Sequence, residues 1–240
     1  YRIRQNSRLT ATDEITLMRE AIGVNTNMID HIPRLDGYEP FETTRQKRLA
    51  VEIGSEQDKL KLLPLLSSLN VKWVLSGDPL QDKLLREIAF PSSTYPVYLY
   101  EDLMAKPFMF VPRTVKTVAA WKDEYFYELR HVADRSDVPV LIECGDCGGF
   151  SHTTSTSLAY QRISDELIRV DATSTDGSWV SISQTNMPYW HATVDGHTTP
   201  LYTAQYLMQA IYLPKGVHRG CVEFISPEVS LSKTRSSCGL

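Results

Sequence analysis

The sequence predicts an α+β protein in which a small α/β N-terminal part packs on a C-terminal antiparallel β-sandwich, and three observations lead there. Helical and strand-like runs are mixed over residues 1–110. From about Leu158 onward, short runs rich in β-branched and aromatic residues follow one another at close intervals. Turn signals separate those runs, among them Asp176-Gly177, Asp195-Gly196 and Pro214-Lys215-Gly216. Regular spacing with this punctuation is the pattern of a two-sheet sandwich, here expected to resemble a jelly roll or a carbohydrate-binding module.

Taken in order, "TATDEITLMREAI" (10–22) has an N-cap candidate in Thr10 or Thr12 and acidic residues in its first turn. Its apolar Ile15, Leu17, Met18, Ala21 and Ile22 recur at three-to-four spacing, which predicts a short amphipathic helix. Pro33 and Gly37 mark "IPRLDGYEPF" as a loop. "QKRLAVEIGSEQDKLKLLPLLSSLN" is helical again but interrupted by Pro64, which is expected to open the last helix, where its missing N–H costs nothing. "VKWVLSGDP" and "YPVYLYED" read as buried strands, and helix followed by strand suggests a small α/β layer. "KPFMFVPRTVKTV" adds a strand, and "AAWKDEYFYELRHVA" supplies a helix near 117–133 before the strand "VPVLIEC". The sandwich strands follow as "AYQRISD", "ELIRVDATS", "SWVSISQT", "WHATVDG", "LMQAIYLP" and "VHRGCVEFIS". The expected division is 1–110 for the α/β part, 111–230 for the sandwich and 231–240 for a polar tail.

The stretch "NMPYWHATVDGH" (186–197) gathers two aromatics, two histidines and an aspartate, the inventory of an active site or simply of a hairpin. The hairpin is the default. "WHATV" alternates polar and apolar, Asp195-Gly196 is a strong two-residue turn signal, and "TPLYTAQ" leaves on the far side. His191 and Thr193 then share one face, with Trp190, Ala192 and Val194 on the other.

With 240 residues and 42% hydrophobic content, the chain can bury a sizeable core. A formal net charge of -4 without any Lys/Arg block argues against nucleic acid, since phosphate binding needs clustered positive charge. No stretch approaches the ~18 consecutive apolar residues of a membrane helix, and the N-terminus lacks the layout of a signal peptide. The chain opens on Tyr1 and ends in the polar "SKTRSSCGL", so it reads as a piece of something longer.

Catalytic chemistry finds little purchase. A zinc site usually wants two close cysteine pairs, whereas Cys144 and Cys147 are close and Cys221 and Cys238 are seventeen positions apart. A local disulfide between Cys144 and Cys147, or free thiols, is preferred over zinc, and "CGDCGGFSHTTSTS" reads as loop rather than as the helix start of a redox-active pair. No cofactor is expected. There is no G-x-S-x-G turn, Ser151-His152 sits in a Ser/Thr-rich loop, and neither a P-loop nor a dinucleotide fingerprint occurs. Glycosidase carboxylates cannot be picked from 29 acidic residues, because their separation is a property of the fold. Tyr189, Trp190, Tyr202, Tyr206 and Trp179 are large flat groups able to stack on sugar rings, with burial between sheets as the competing reading. Asn25, Asn27, Asp30 and His31, just before Asp36-Gly37-Tyr38, form a dense polar cluster that is either a site or a capped loop. The glycan-binding candidates are therefore Trp190, Tyr189 and Tyr202 with Asn25, Asn27, Asp36 and Tyr38.

Four segments carry a resemblance. "VNTNMIDHIPRLDGYEPF" resembles the "N-x-N-M-x-x-x-I-x-x-x-D-G-Y-x-P" segment in the extracytoplasmic domain of YfhO-like bacterial membrane proteins, and "SSLNVKWVLSGDPL" is similar to that family's "L-N-V-K-Y-V-L-S" strand. "VYLYEDLMAKPFMFVPRTV" resembles "V-Y-x-Y-E-N-x-x-A-x-P-R-A-F-x-V". The block from Asp176 to Glu228 resembles a strand of the type "L-V-L-S-x-x-Y-Y-P-G-W", then "A-x-V-D-G", "P-A-G-x-H" and "V-x-F-x-Y-x-P". The matches run in the family's order from about Asn25 to Pro227. Tyr189 stands where the family commonly has Gly, Phe108 where it has Arg, and Ser226 near its usual Tyr.

The resemblance implies a multi-spanning parent similar to glycosyltransferases that use lipid-linked sugars, with catalytic carboxylates in loops between membrane helices that this chain lacks. The expected function is non-catalytic: recognition of a cell-envelope glycan or acceptor, or support of the membrane active site. The expected place is the extracytoplasmic face of a bacterial membrane, tethered by the parent's own helices. The alternatives are a stand-alone secreted carbohydrate-binding module and a zinc enzyme built on Cys144, Cys147 and His152.

Overall fold

The computed structural model describes residues 43–88, 98–148 and 150–225. The helix expected at 10–22, the cluster of Asn25, Asn27, Asp36 and Tyr38, and the tail at 231–240 lie outside the described residues. The chain divides into two compact units, the first holding the described residues up to Ser67 together with Val71–Ala105, the second Ser68–Asn70 and everything from Lys106.

The first unit begins with α1 (Thr44–Ser55), whose N-terminus is closed by a capping box. The Thr43 side chain accepts from the Gln46 N–H at 3.1 Å, and the Gln46 side chain accepts from the Thr43 N–H at 2.8 Å. A second helix, α2, runs over Lys59–Ser68 with Pro64 inside it, so the interruption falls at Glu56–Asp58 and not at the proline. The Asp58 carboxylate accepts from the Leu60 N–H at 3.0 Å and thereby starts α2. Pro64 removes the donor that would have met the Leu60 carbonyl, and Leu60 lies in the exposed first turn, where water can take that bond. Three strands follow, β1 (Trp73–Ser76), β2 (Leu85–Ile88) and β3 (Tyr98–Asp102), in the order β1-β3-β2 with both pairings antiparallel. The helix–strand alternation expected from sequence is therefore two helices and then a small antiparallel sheet. The buried Asp102 side chain meets the Ser67 hydroxyl at 2.6 Å and accepts from the Met104 N–H at 2.9 Å, so its oxygens are paired, as burial requires.

The second unit is a sandwich. Its five-stranded sheet has the order β11-β10-β14-β8-β7, from β7 (Thr156–Ser164), β8 (Leu167–Ser174), β10 (Trp190–Val194), β11 (His197–Thr199) and β14 (Gly216–Phe224). Its six-stranded sheet has the order β4-β9-β13-β12-β6-β5, from β4 (Met109–Phe110), β5 (Val115–Val118), β6 (Val140–Glu143), β9 (Ser178–Thr185), β12 (Tyr202–Ala204) and β13 (Met208–Leu213). Every pairing is antiparallel except β5 with β6, which the helix α3 (Glu124–Arg130) connects. Strand alternation decides the core. β8 sends Ile168, Val170 and Ala172 inward, and they meet Val180, Ile182, Ile211, Leu213, Trp190, Ala192 and Val222 from the other strands. Each Val, Ile or Leu among them contributes about 1.5–3 kcal/mol on burial.

The hairpin of β10 and β11 turns on Asp195 and Gly196, whose φ of 52° and 79° are both positive, as a two-residue turn of this twist demands. His191 is exposed while Trp190 and Ala192 are buried, which is the expected alternation. Three expectations need correction. Residues 106–118 form two short strands, β4 and β5, with Pro112 between them, because proline cannot donate to a ladder. The unit boundary falls at Lys106 rather than after residue 110, since Met109 and Phe110 already pair with β9. Residues 197–204, expected only to leave the hairpin, form β11 and β12 in different sheets.

Candidate functional site

The structure scatters the five aromatic candidates: Tyr206 is buried against Trp121 and Phe126, Trp179 and Tyr202 meet each other, and Trp190 and Tyr189 lie elsewhere. Trp190 is only 7% exposed and belongs to the core between the sheets, with Phe224 edge-on at 5.6 Å. Its expected role as an exposed sugar-stacking ring is thereby corrected, because inward alternation on β10 puts the indole under the sheets. Its remaining edge contributes to an open depression of about 330 Å³ lined also by Asn186, Met187, Pro188 and Leu201. Tyr189 is exposed and touches Phe224 edge-on at 6.0 Å. Tyr202 follows Leu201 directly, and alternation parts them: Leu201 packs toward the inter-sheet core, Tyr202 against Trp179.

Tyr202 belongs instead to an aromatic group on the outer face of the six-stranded sheet. Trp179 and Tyr212 are direct cross-strand partners on β9 and β13, their rings 5.3 Å apart. Tyr202 lies opposite the small Ala210, which leaves room for the Trp179 ring to reach it at 5.0 Å, edge to face. Phe150 stacks on Tyr212 at 4.2 Å with the planes 20° apart. Trp179 is sealed at the bottom, Tyr202 and Tyr212 are half-buried, and Phe150 is 40% exposed. Gly177, at φ +101°, makes the arrangement possible, since a Cβ there would collide with the Tyr212 hydroxyl.

A short loop carries Phe150 to this face. The Cys144 N–H donates to the Val118 carbonyl at 2.7 Å, fixing the end of β6 to β5. Cys144 is joined to Cys147 by a disulfide with the Cα atoms 5.6 Å apart, and the Phe150 N–H donates to the Cys147 carbonyl at 3.0 Å. Beyond Phe150, the Ser151 hydroxyl bonds the Asp176 carbonyl and lies 3.2 Å from the Tyr212 hydroxyl. The Trp179 N–H donates to His152 Nδ1 at 3.2 Å, which leaves Nε2 as the protonated nitrogen, donating to the Pro112 carbonyl at 2.8 Å. Desolvation, and secondarily the negative charge of Asp146 in the disulfide loop, push the Tyr202 hydroxyl above its ordinary value, so it stays a neutral donor.

These contacts settle what the loop's reactive residue types do. Both thiols of Cys144 and Cys147 are consumed by their bond and both His152 nitrogens are engaged, so this trio does not form the zinc site weighed from sequence. His152 is not a base for Ser151, because its Nδ1 accepts from the Trp179 N–H and its Nε2 donates to the Pro112 carbonyl. Among the described residues there is no group of three His, Cys, Asp or Glu side chains able to hold a metal ion. The face consists of Phe150 stacked on Tyr212, with Tyr202 and Tyr212 set steeply against Trp179 at 82° and 67° and the Ser151 hydroxyl beside that of Tyr212, rings and polar atoms able to make non-covalent contacts. Trp73, on β1 of the first unit, is the well-exposed tryptophan among the described residues, and the Lys72 ammonium sits over its ring at 5.0 Å.

No family model, curated protein or solved structure matches this chain. Among the described residues no helix is long and apolar enough to cross a membrane.

Sequence reasoning selected Trp179 and Tyr202 but missed Phe150 and Tyr212. The signal for Phe150 was its place directly after the cysteine pair in "CGDCGGF", and that for Tyr212 was its register opposite Trp179, visible only once β9 and β13 are paired.

Proposed function

We propose that this chain is the non-catalytic, extracytoplasmic recognition domain of a membrane protein resembling the YfhO-like family, and that it binds a cell-envelope glycan on the face formed by Phe150, Tyr212 and Tyr202. The observation that carries this reading is the Phe150–Tyr212 stack, exposed on the outside of a sandwich sheet and bordered by hydroxyls. Sugar rings present apolar C–H faces and hydroxyl rims, and a partly exposed aromatic surface with polar edges complements both. The Cys144–Cys147 disulfide supports the extracytoplasmic setting, because such bonds persist in oxidising compartments. The ordered resemblance from Asn25 to Pro227 supports the membrane-tethered parent.

The test is binding of the purified chain to an array of envelope glycans, including teichoic-acid and lipopolysaccharide fragments, alongside Phe150→Ala. Selective binding that the variant loses, with no transfer or hydrolysis by the chain alone, is the expected outcome. Turnover by the isolated chain contradicts the non-catalytic reading, and silence across the array contradicts recognition. The same aromatic face and disulfide also suit a stand-alone secreted carbohydrate-binding module. The coding sequence beyond Leu240 separates the two, a hydrophobic helix there favouring the membrane parent.

A further inference from the structure

Resting on the recognition reading above, we infer that the Cys144–Cys147 disulfide is the positioning element of the aromatic face, so that this surface exists in the oxidised protein and is dismantled by reduction. The connection runs through four links in space. The sheet holds Cys144 through the Val118 carbonyl at 2.7 Å, the disulfide holds Cys147 to Cys144, the Cys147 carbonyl holds the Phe150 amide at 3.0 Å, and the Phe150 ring lies on Tyr212 at 4.2 Å. Cutting the second link frees the turn that places Phe150.

The loop is built to loosen when cut. Gly145 and Gly148 have open space where a Cβ would stand and carry no side chain to anchor the loop, and glycine regains more backbone freedom on release than any other residue. The two sulfurs are not equivalent. Cys147 is 4% exposed while Cys144 is only half-buried, so an incoming thiolate meets the Cys144 sulfur and Cys147 departs as the thiolate. A dithiol reductant completes the step: its second thiol attacks the mixed disulfide, its own two sulfurs close a disulfide, and two electrons and two protons end on Cys144 and Cys147. The contacts of Ser151, His152 and Thr153 to the β8–β9 turn and β9 remain, which confines the change to the segment from Gly145 to Phe150.

The test uses the full chain with Cys144→Ser and Cys147→Ser together, because a reductant would also reach the bond that Cys221 makes. Three readouts are taken: ring-to-ring nuclear Overhauser contacts between Phe150 and Tyr212, hydrogen exchange of the Phe150 amide, and binding to the teichoic-acid and lipopolysaccharide fragments of the array. The inference expects the ring contacts to vanish, Phe150 exchange to accelerate at least tenfold, and glycan binding to fall with them, while amides of β8, β9 and β13 keep their protection. Ring contacts and exchange unchanged from the wild type overturn it. Should the double variant fail to fold, the same exchange measurement on Cys221→Ser before and after brief dithiothreitol treatment decides, since the Cys144–Cys147 bond is then the one reduced, unchanged Phe150 protection again overturning the inference. The first two readouts need no ligand, so a chain that binds no glycan defeats the recognition reading without confusing this test.

Discussion

The two faces of the six-stranded sheet are both lined with large apolar side chains, yet they are built for different ends. The inner face carries Val180, Ile182, Ile211 and Leu213, branched aliphatics sealed against the partner sheet, with Trp190 closing one side. The outer face carries Trp179, Tyr202 and Tyr212 from the same strands and adjacent β12, with Phe150 laid over them. Aliphatic groups fill space without direction, whereas the outer rings keep edges, faces and hydroxyls available. A tryptophan therefore says little by itself. Trp190 is structural because its strand points it inward, and Trp179 supports a surface because its strand points it outward.

The contrast breaks first at Trp190. Trp190→Ala should destabilise the fold by about 3–5 kcal/mol, the cost of truncating a core aromatic, read as a lowered urea midpoint with unchanged slope. Next is Gly177→Ala, which combines a positive φ with a clash at the Tyr212 hydroxyl. It should cost about 1–3 kcal/mol and also weaken glycan binding, since it displaces one of the two stacked rings. Phe150→Ala removes a ring that is 40% exposed and meets both Tyr212 and Trp179, so it should cost about 1–2 kcal/mol, less than Trp190→Ala, while abolishing most binding. Equal losses of stability for Phe150 and Trp190 variants would erase the distinction between the faces.

The smallest effect concerns acid. Hydrogen bonds from the His218 imidazole at 2.7 Å and the Arg219 N–H at 2.8 Å hold the Asp195 carboxyl below its ordinary value of 3.8. A depressed value means the stabilisation is complete above pH 3.8 and fades as pH falls through the lower folded value. The stability difference between wild type and Asp195→Asn should thus persist at pH 7 and shrink below pH ~4, compared by urea midpoints at each pH. A difference independent of pH would show that the carboxylate's charge plays no part in the turn.

Local signals carried much of the fold. The Asp195-Gly196 turn and the alternation in "WHATV" are written in nearest neighbours and the structure contains them, whereas the helix expected near 117–133 is formed only over Glu124–Arg130, with Thr117 and Val118 taken up by β5. What could not be read was non-local. Pro64 misled because the true break depends on the Asp58 cap, and β12 was missed because three residues are too short for periodicity. The candidate face was half legible. Trp179 and Tyr202 stood out by residue type, but their grouping with Tyr212 depends on strand register, and that of Phe150 on a disulfide-closed loop.

The most direct measurement of the account is where a glycan lands. Amide chemical-shift mapping of the full chain during titration with teichoic-acid and lipopolysaccharide oligosaccharides should show perturbations centred on Asp146, Phe150–Ser151, Gly177–Trp179, Tyr202 and Tyr212. Perturbations centred instead on the depression at Asn186–Trp190, or none with any fragment, would contradict the claim that the outer aromatic face is the recognition surface.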